Sequence, residues 1–465
     1  MVFARSAVDS INDLRSGATT PATLAAQALA RIQEIDMTGY ELNSILALAS
    51  GNHAGEFTSD TPLAGLPIVI KDNIEAIGLP ASAGSKALLD YPVIKDSELT
   101  KRLREGGANI IAATNLSEWA NIRSTHSTSG WSAVGGLTAN PWIHKHSAGG
   151  SSSGSGAAVA GALITLAVGT ETDGSIICPA SLNGCVGIKP TVGRVPRAAI
   201  VPISASQDSP GAMARSVQDA ALLLEVMCAT TGLVAATHDQ RMLRIGVVGS
   251  WLTGHGATDA LFSAAISKLS KAGFSLVEID LDSPSEEISN DEYEVLLHEL
   301  FDDMAAYLNV RTDSTLTSIA DLVAYNITHK EIELKYFGQE SFEKALTLGG
   351  RNSAYQAKRA RNLLWADRTL SKGFTEVDVL IGPTFSPAWV SNLDTGDEHG
   401  ENSWITMTPA ITGTPIGTVP MGICDGLPVG LGVVAKAMDE IRLITALAQI
   451  ERILDIGVLE PTFKK

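Results

Sequence analysis

The sequence predicts an α/β/α layered fold around a central mixed, mostly parallel, twisted sheet. Short β-branched runs bounded by glycine, proline and asparagine recur along the chain, and stretches with three- and four-residue apolar spacing lie between them. The bulk composition agrees: 45% hydrophobic against 18% charged residues in 465 is the balance of a folded chain with a sizeable core. Strands that alternate with helices place one sheet between helical layers.

Residues 7 to 35 read as helical, because Leu24, Ala25, Ala28, Leu29 and Ile32 recur at helical spacing and Thr20-Pro21 supplies an N-cap followed by a first-turn proline. Buried strands follow in "GLPIVIKDNI" from Gly65 and in "NIIAATN" at 109 to 115. Further strand runs stand at 163 to 170, 244 to 250, 275 to 281, 377 to 384 and 429 to 435. One domain over 1–465 is expected, with a chemical core over 65–230. Residues 285 to 375 are mainly helical and charged, which predicts an insertion or cap that lines a pocket. The longest apolar stretch, Ala157 to Val168, is interrupted by Gly161 and falls short of the about 20 residues a bilayer needs, so no membrane partner is expected.

With 51 acidic against 34 basic residues the formal charge is -17, which repels phosphate backbones and excludes nucleic acid as a direct partner. The opening Met-Val-Phe-Ala-Arg-Ser lacks a basic segment followed by an apolar core, so no secretory signal and a cytoplasmic location are expected. Cys178, Cys185, Cys228 and Cys424 have no zinc-ligand spacing and read as free thiols.

The most unusual segment is "SAGGSSSGSGAAVAGALITLAVGTETDGSIICPASLNGCVGIKPT", residues 147 to 191. A linker would not alternate with core elements at this pace; glycines here let backbone N–H groups approach a ligand. A phosphate loop needs lysine at its end, and none occurs between Lys145 and Lys189. Gly150 to Gly154 matches a nucleophile elbow formally, but "NPWIHKHSAGG" in front of it is not a strand. His144-x-His146 has no apparent third ligand and reads as a loop with solvated imidazoles, so no metal and no other cofactor is expected.

"GLPIVIKDNI", "AGGSSSGSG" and "GTETDGSIICPASLNGCVGIKPT", with "LAAQALARIQEID", "TNLSEWAN", "SQDSPGAMARSVQDA", "TPAITGTPIGTVPMG" and "GLPVGLGVVA", resemble the amidase signature family of serine hydrolases over most of the chain except roughly 235 to 375. The wording is most similar to the family's bacterial peptide amidases and aryl acylamidases. The resemblance implies a triad of Lys71, Ser151 and Ser175, a cis Gly150–Ser151 peptide bond, and an oxyanion hole of backbone N–H groups of Thr172, Asp173, Gly174 and Ser175. It implies hydrolysis of a neutral small-molecule or peptide carboxamide, with esters also accepted; a monomer or homodimer is expected. An enzyme like the A subunit of the glutamyl-tRNA amidotransferase, a carbamate hydrolase and a silent binding protein on the same fold are the alternatives.

The chemistry suits those residues. A serine hydroxyl needs a base and an amide carbonyl needs oxyanion stabilisation, and a lysine serves as base only when burial makes it neutral, as the apolar run before Lys71 allows. Where the family carries two glycines before the nucleophile this chain has Asp173-Gly174, and Ile177 and Cys178 stand where some members carry a carboxylate-binding arginine. Ser152, Ser153 and Ser155 read as turn or capping hydroxyls. Thr172 stands as either a loop-orienting hydroxyl or a bystander, Asp208 is either a turn former before Pro210, the preferred structural role, or an anchor for the catalytic loops, and Asn121 is either a polar pocket residue or a structural hydrogen-bonder.

Overall fold

The computed structural model describes residues 5–50, 57–400 and 402–465. The leader reading rests on Met1 to Ala4, outside the described residues. The sheet strands are β1 (Ile45–Leu48), β2 (Pro67–Lys71), β3 (Asn109–Thr114), β6 (Leu166–Glu171), β7 (Val186–Lys189), β8 (Ser209–Ala214), β9 (Arg244–Val248), β10 (Ser275–Ile279), β11 (Val379–Pro383), β12 (Ile416–Cys424) and β13 (Leu427–Val434); β4 (Trp131–Ser132) and β5 (Gly136–Leu137) form a separate small ribbon.

Eleven strands run in the order β1-β3-β2-β6-β8-β7-β12-β13-β11-β9-β10. Parallel pairing holds β3, β2 and β6 together on one side and β11, β9 and β10 on the other. Antiparallel ladders join them through β8, β7, β12 and β13, and β1 closes one edge. The expected mixed sheet and its seven quoted strand runs are therefore present.

Alternation along the strands feeds two cores. Ile68 and Ile70 of β2 and Leu166 and Val168 of β6 face one core, shared with the helices Val217–Cys228 and Glu440–Leu454. Val69 and Ala167 face the other, shared with Ala157 to Val159 of the helix Ser153–Ala160 and Ala180 of the helix Ile177–Asn183. Thr20 caps the helix Pro21–Arg31 by accepting from the Thr23 amide, as its sequence demands. A third core gathers Leu297, Leu300 and Met304 of the helix Glu286–Leu308 with Phe342 of the helix Glu340–Leu348, against Trp119 and Ile203. Among the described residues no helix is long and apolar enough to cross a membrane.

Candidate active site

Lys71 ends β2, a strand buried along its whole length. Its Nζ lies 2.7 Å from Ser151 Oγ, 3.0 Å from Thr170 Oγ1 and 3.2 Å from the Thr170 carbonyl oxygen. Burial lowers the lysine to about 7, although Asp208 and Glu171 pull it upward. Desolvation of the charged form wins that contest, leaving an amine with a usable lone pair near neutral pH.

Ser151 follows a cis Gly150–Ser151 peptide bond, as the resemblance implies. Its loop is fixed by close backbone approach: a Cβ on Gly154 would lie 2.2 Å from the Ser44 carbonyl oxygen and 2.6 Å from that of Asn115. The neighbouring hydroxyls hold structure, as the sequence reading has it. Ser152 Oγ donates to the Thr170 carbonyl at 3.0 Å and accepts from the Thr170 amide at 3.1 Å, Ser155 Oγ donates to the Val168 carbonyl at 3.1 Å, and Ser153 Oγ donates to the Gly149 carbonyl. The loop is thereby stitched to β6.

The Ser175 turn begins where β6 ends at Glu171. Glu171 Oε2 accepts the amides of Ile176 at 2.6 Å and Ile177 at 2.9 Å, so the turn closes onto its own strand end. Gly174 takes the left-handed φ of 76° that favours glycine. Among the described residues the amides of Asp173, Gly174 and Ser175 have no acceptor, which makes them unspent donors on a tight turn. The Ser152 amide donates to the Ser175 carbonyl at 3.1 Å and holds the two serine loops together.

Carboxyl groups surround this turn. Thr172 Oγ1 donates to Asp208 at 2.6 Å, and Asp208 also accepts the amides of Ile203 and Ser204, both at 2.9 Å. Thr172 is thus a loop-orienting hydroxyl and Asp208 its anchor; burial raises Asp208 to about 6. Asp173 points its carboxyl at Thr406 and at Glu292 of the helix Glu286–Leu308. Burial raises both carboxyls, Glu292 well above the carboxylate range. Gln207 Nε2 donates to Glu292 Oε1 at 3.1 Å. Lys189, buried and lowered to about 8, donates to the Thr414 carbonyl at 2.7 Å and faces Glu171 and Asp173.

Asn121 spends one donor on Ser129 Oγ at 3.0 Å and one acceptor on Ser127 Oγ at 3.1 Å. An N–H and a lone pair remain. Ile177 and Cys178 are buried, and the Cys178 thiol is pushed up to about 12 by burial, so it is no nucleophile. All four cysteines are free. His144 and His146 are half-buried, not solvated: His144 packs edge-on against Tyr40 at 5.0 Å, and burial lowers His146. A cavity of about 50 Å³ beside Lys71 is lined by Asn73, Ala120, Thr170, Thr172, Ile203 and Asp208 among others.

Sequence reasoning missed Glu171, Lys189 and Glu292. Glu171 and Lys189 lie inside the quoted "GTETDGSI" and "GIKPT", so the phrases carried a signal. Glu292 carried none, because its helix meets the turn only in three dimensions.

The model of the amidase family matches residues 25–444. The A subunit of the glutamyl-tRNA(Gln) amidotransferase of Lactobacillus acidophilus is 31% identical over 472 residues, covering 96% of each chain. A probable amidase of Arabidopsis thaliana is 36% identical over 386 residues, covering 78% of this chain and 73% of its own. Among solved structures, native peptide amidase from Stenotrophomonas maltophilia superposes with a TM-score of 0.90 at 37% identity, covering 99% of both chains. With a family match over most of the chain and a near-complete superposition on a peptide amidase, the chain belongs to the amidase signature family and is an amide-hydrolysing enzyme.

Proposed function

We propose that this enzyme hydrolyses neutral carboxamides, above all C-terminal peptide amides, with aliphatic and aryl amides and esters as further substrates. The observation that carries the reading is the 2.7 Å contact between buried Lys71 Nζ and Ser151 Oγ, with the lysine lowered to about 7. Neutral Lys71 has two N–H groups for Thr170 and one lone pair for the Ser151 hydroxyl. Ser151 passes a proton to Lys71 and takes one from Ser175 as Ser175 Oγ attacks the carbonyl carbon. The oxyanion is met by the backbone amides of residues 172 to 175, each such donor being worth about 10²–10³ in rate.

The proton then returns through Ser151 to the leaving nitrogen, general-acid help of about 10²–10⁴-fold. Water, deprotonated through the same relay, hydrolyses the acyl-enzyme. The preference for a neutral acyl group rests on Ile177 and Cys178, buried where a carboxylate-binding arginine would stand. The helices between 285 and 375 are read as the cap of this site, with Glu292 as their contact with the Asp173 turn.

A second reading, an enzyme that works as the amidotransferase A subunit does, is favoured by the Lactobacillus acidophilus relative. Asp173, Ile177 and Cys178 speak against it. The deciding experiment is hydrolysis by the purified single chain of peptide amides, anilides, aliphatic amides, esters and carbamates, with Ser175→Ala as blank. Turnover of a neutral amide by the chain alone is expected; dependence on partner proteins and tRNA would overturn the first reading, and a carbamate ranked first would move the substrate class.

A further inference from the structure

On the hairpin of β12 and β13, the ligand atoms of His255, Cys424 and Asp425 all lie within 4.8 Å of one another. Three elements of chain bring them there. β12 carries a bulge between Pro420 and Gly422, and a Cβ on Gly422 would sit 3.2 Å from Leu261 of the helix Gly256–Lys271, so the strand end is pressed against that helix. Asp425, at φ 54°, and Gly426, at φ 81°, make the left-handed hairpin turn that follows Cys424. His255 is the N-cap of the helix, and its loop is pinned because Asp259 accepts from the Thr253 amide and hydroxyl and from the Gly254 amide at 2.8 to 3.0 Å.

We propose that His255, Cys424 and Asp425 bind a divalent transition ion of the zinc type, with solvent completing the coordination. Thiolate, imidazole and carboxylate together form a donor set that suits zinc or cobalt and does not suit magnesium or calcium, which take oxygen ligands. His255 Nδ1 lies 3.0 Å from Thr258 Oγ1 and accepts the Thr258 amide at 3.4 Å as the helix cap; binding through Nε2 moves the ring proton to Nδ1, which then donates to Thr258 Oγ1 as the outer hydrogen bond of the metal-bound imidazole, and the cap bond from the amide is given up. Cys424 is buried, with Sγ 3.6 Å from Asp425 Oδ2, while Asp425 is exposed, so an ion enters from the solvent side. On binding, the Cys424 thiol releases its proton to solvent as the sulfur–metal bond forms; the imidazole binds neutral and Asp425 as the carboxylate. The ion would tie the hairpin tip to the helix, apart from the Lys71–Ser151–Ser175 site.

The test uses the full chain, stripped with a chelator and titrated with Co²⁺ without oxygen. A thiolate-to-cobalt charge-transfer band in the near ultraviolet and visible bands of four-coordinate cobalt are expected, and equimolar Zn²⁺ should bleach both. Cys424→Ser should abolish the charge-transfer band, while Cys228→Ser keeps it. Thr258→Val, which leaves the three ligands, should weaken Co²⁺ by about tenfold. A cooperative thermal transition shows that each variant is folded; should Cys424→Ser not fold, His255→Ala, with a loss of more than tenfold expected, decides in its place. Absence of the band in the wild type, its survival in Cys424→Ser, or unchanged affinity in His255→Ala overturns the proposal.

Discussion

Lowering the pH is the sharpest perturbation of the proposed relay, because the base must be neutral to act. With Lys71 at about 7, the neutral share is about nine-tenths at pH 8 and about one-hundredth at pH 5. The value of kcat/KM should therefore fall about 90-fold between those pH values, along a limb of unit slope. A lysine at the ordinary 10.5 would behave differently, with the rate climbing about tenfold per unit well past pH 9. The assay is ammonia release from an uncharged peptide amide in overlapping buffers of constant ionic strength. Asp208, at about 6, and Asp72, at about 7, titrate in the same window and need a control. Asp208 raises Lys71, so Asp208→Asn should move the limb to lower pH if the limb belongs to the lysine. Should the limb vanish in Asp208→Asn, or should the wild-type rate climb without a plateau to pH 10, the assignment of the base is refuted. Full activity of Lys71→Ala at neutral pH would refute it as directly.

Further outcomes follow from the same geometry. Ser175→Ala should abolish labelling by a fluorophosphonate, and Ser151→Ala should lower kcat by about 10²–10⁴-fold with little change in KM, both read in steady-state kinetics beside mass spectrometry of the labelled serine. Glu171→Ala removes the acceptor shared by the Ile176 and Ile177 amides; a loss of about 1–3 kcal/mol in chemical denaturation and a lower kcat are expected, and an unchanged kcat would show that the turn holds without it. Glu292→Gln keeps an N–H donor for Asp173 and should retain activity to within a few-fold, while Glu292→Ala, which leaves the Asp173 carboxyl without that partner, should lower kcat about tenfold. Leu224→Ala, in the core beneath the sheet and away from the turn, should cost about 2–5 kcal/mol of stability while kcat below the melting range is unchanged.

Strands with continuous β-branched or aliphatic runs were legible in the sequence because both faces of the sheet are covered, so β2, β3 and β6 show no polar alternation. The unread strands fail that description for local reasons. β8 reads "SPGAMA", whose proline and glycine signal a turn, yet it is a strand between β6 and β7, with Gly211 packed so closely that a Cβ would lie 2.2 Å from the Ile188 carbonyl oxygen. β12 carries Pro420 beside its bulge, and β1 is four residues long at an edge. At the site, Lys71, Ser151 and Ser175 were legible as family phrases, and the contact of Lys71 with Ser151 puts two of them side by side. Glu292 was not legible: a glutamate in an acidic helix looks solvated until the helix is laid over the signature turn.

The neighbourhood of the base carries more acid than base, which at first sight should keep Lys71 charged. Glu171 and Asp208 both favour its protonated form, and Asp72 is its neighbour in the chain. Burial acts against charge on either side of the balance. It raises Asp72, Asp208, Glu171 and Glu292 while it lowers Lys71 and Lys189. Each acid that gains a proton stops holding one on the lysine, so the desolvated acids weaken their own hold on Lys71. Hydrogen bonds decide which acids stay available as acceptors: Glu171 keeps the Ile176 and Ile177 amides, and Asp208 keeps Thr172 and the Ile203 and Ser204 amides. Those bonds shape the turn of Ser175, and burial, which raises Asp173 and Glu292 together, works against a further full negative charge beside it. Asp173 in place of glycine thus stands against Glu292, which ties the turn to a helix of the segment 285 to 375 that the sequence predicts as a helical cap.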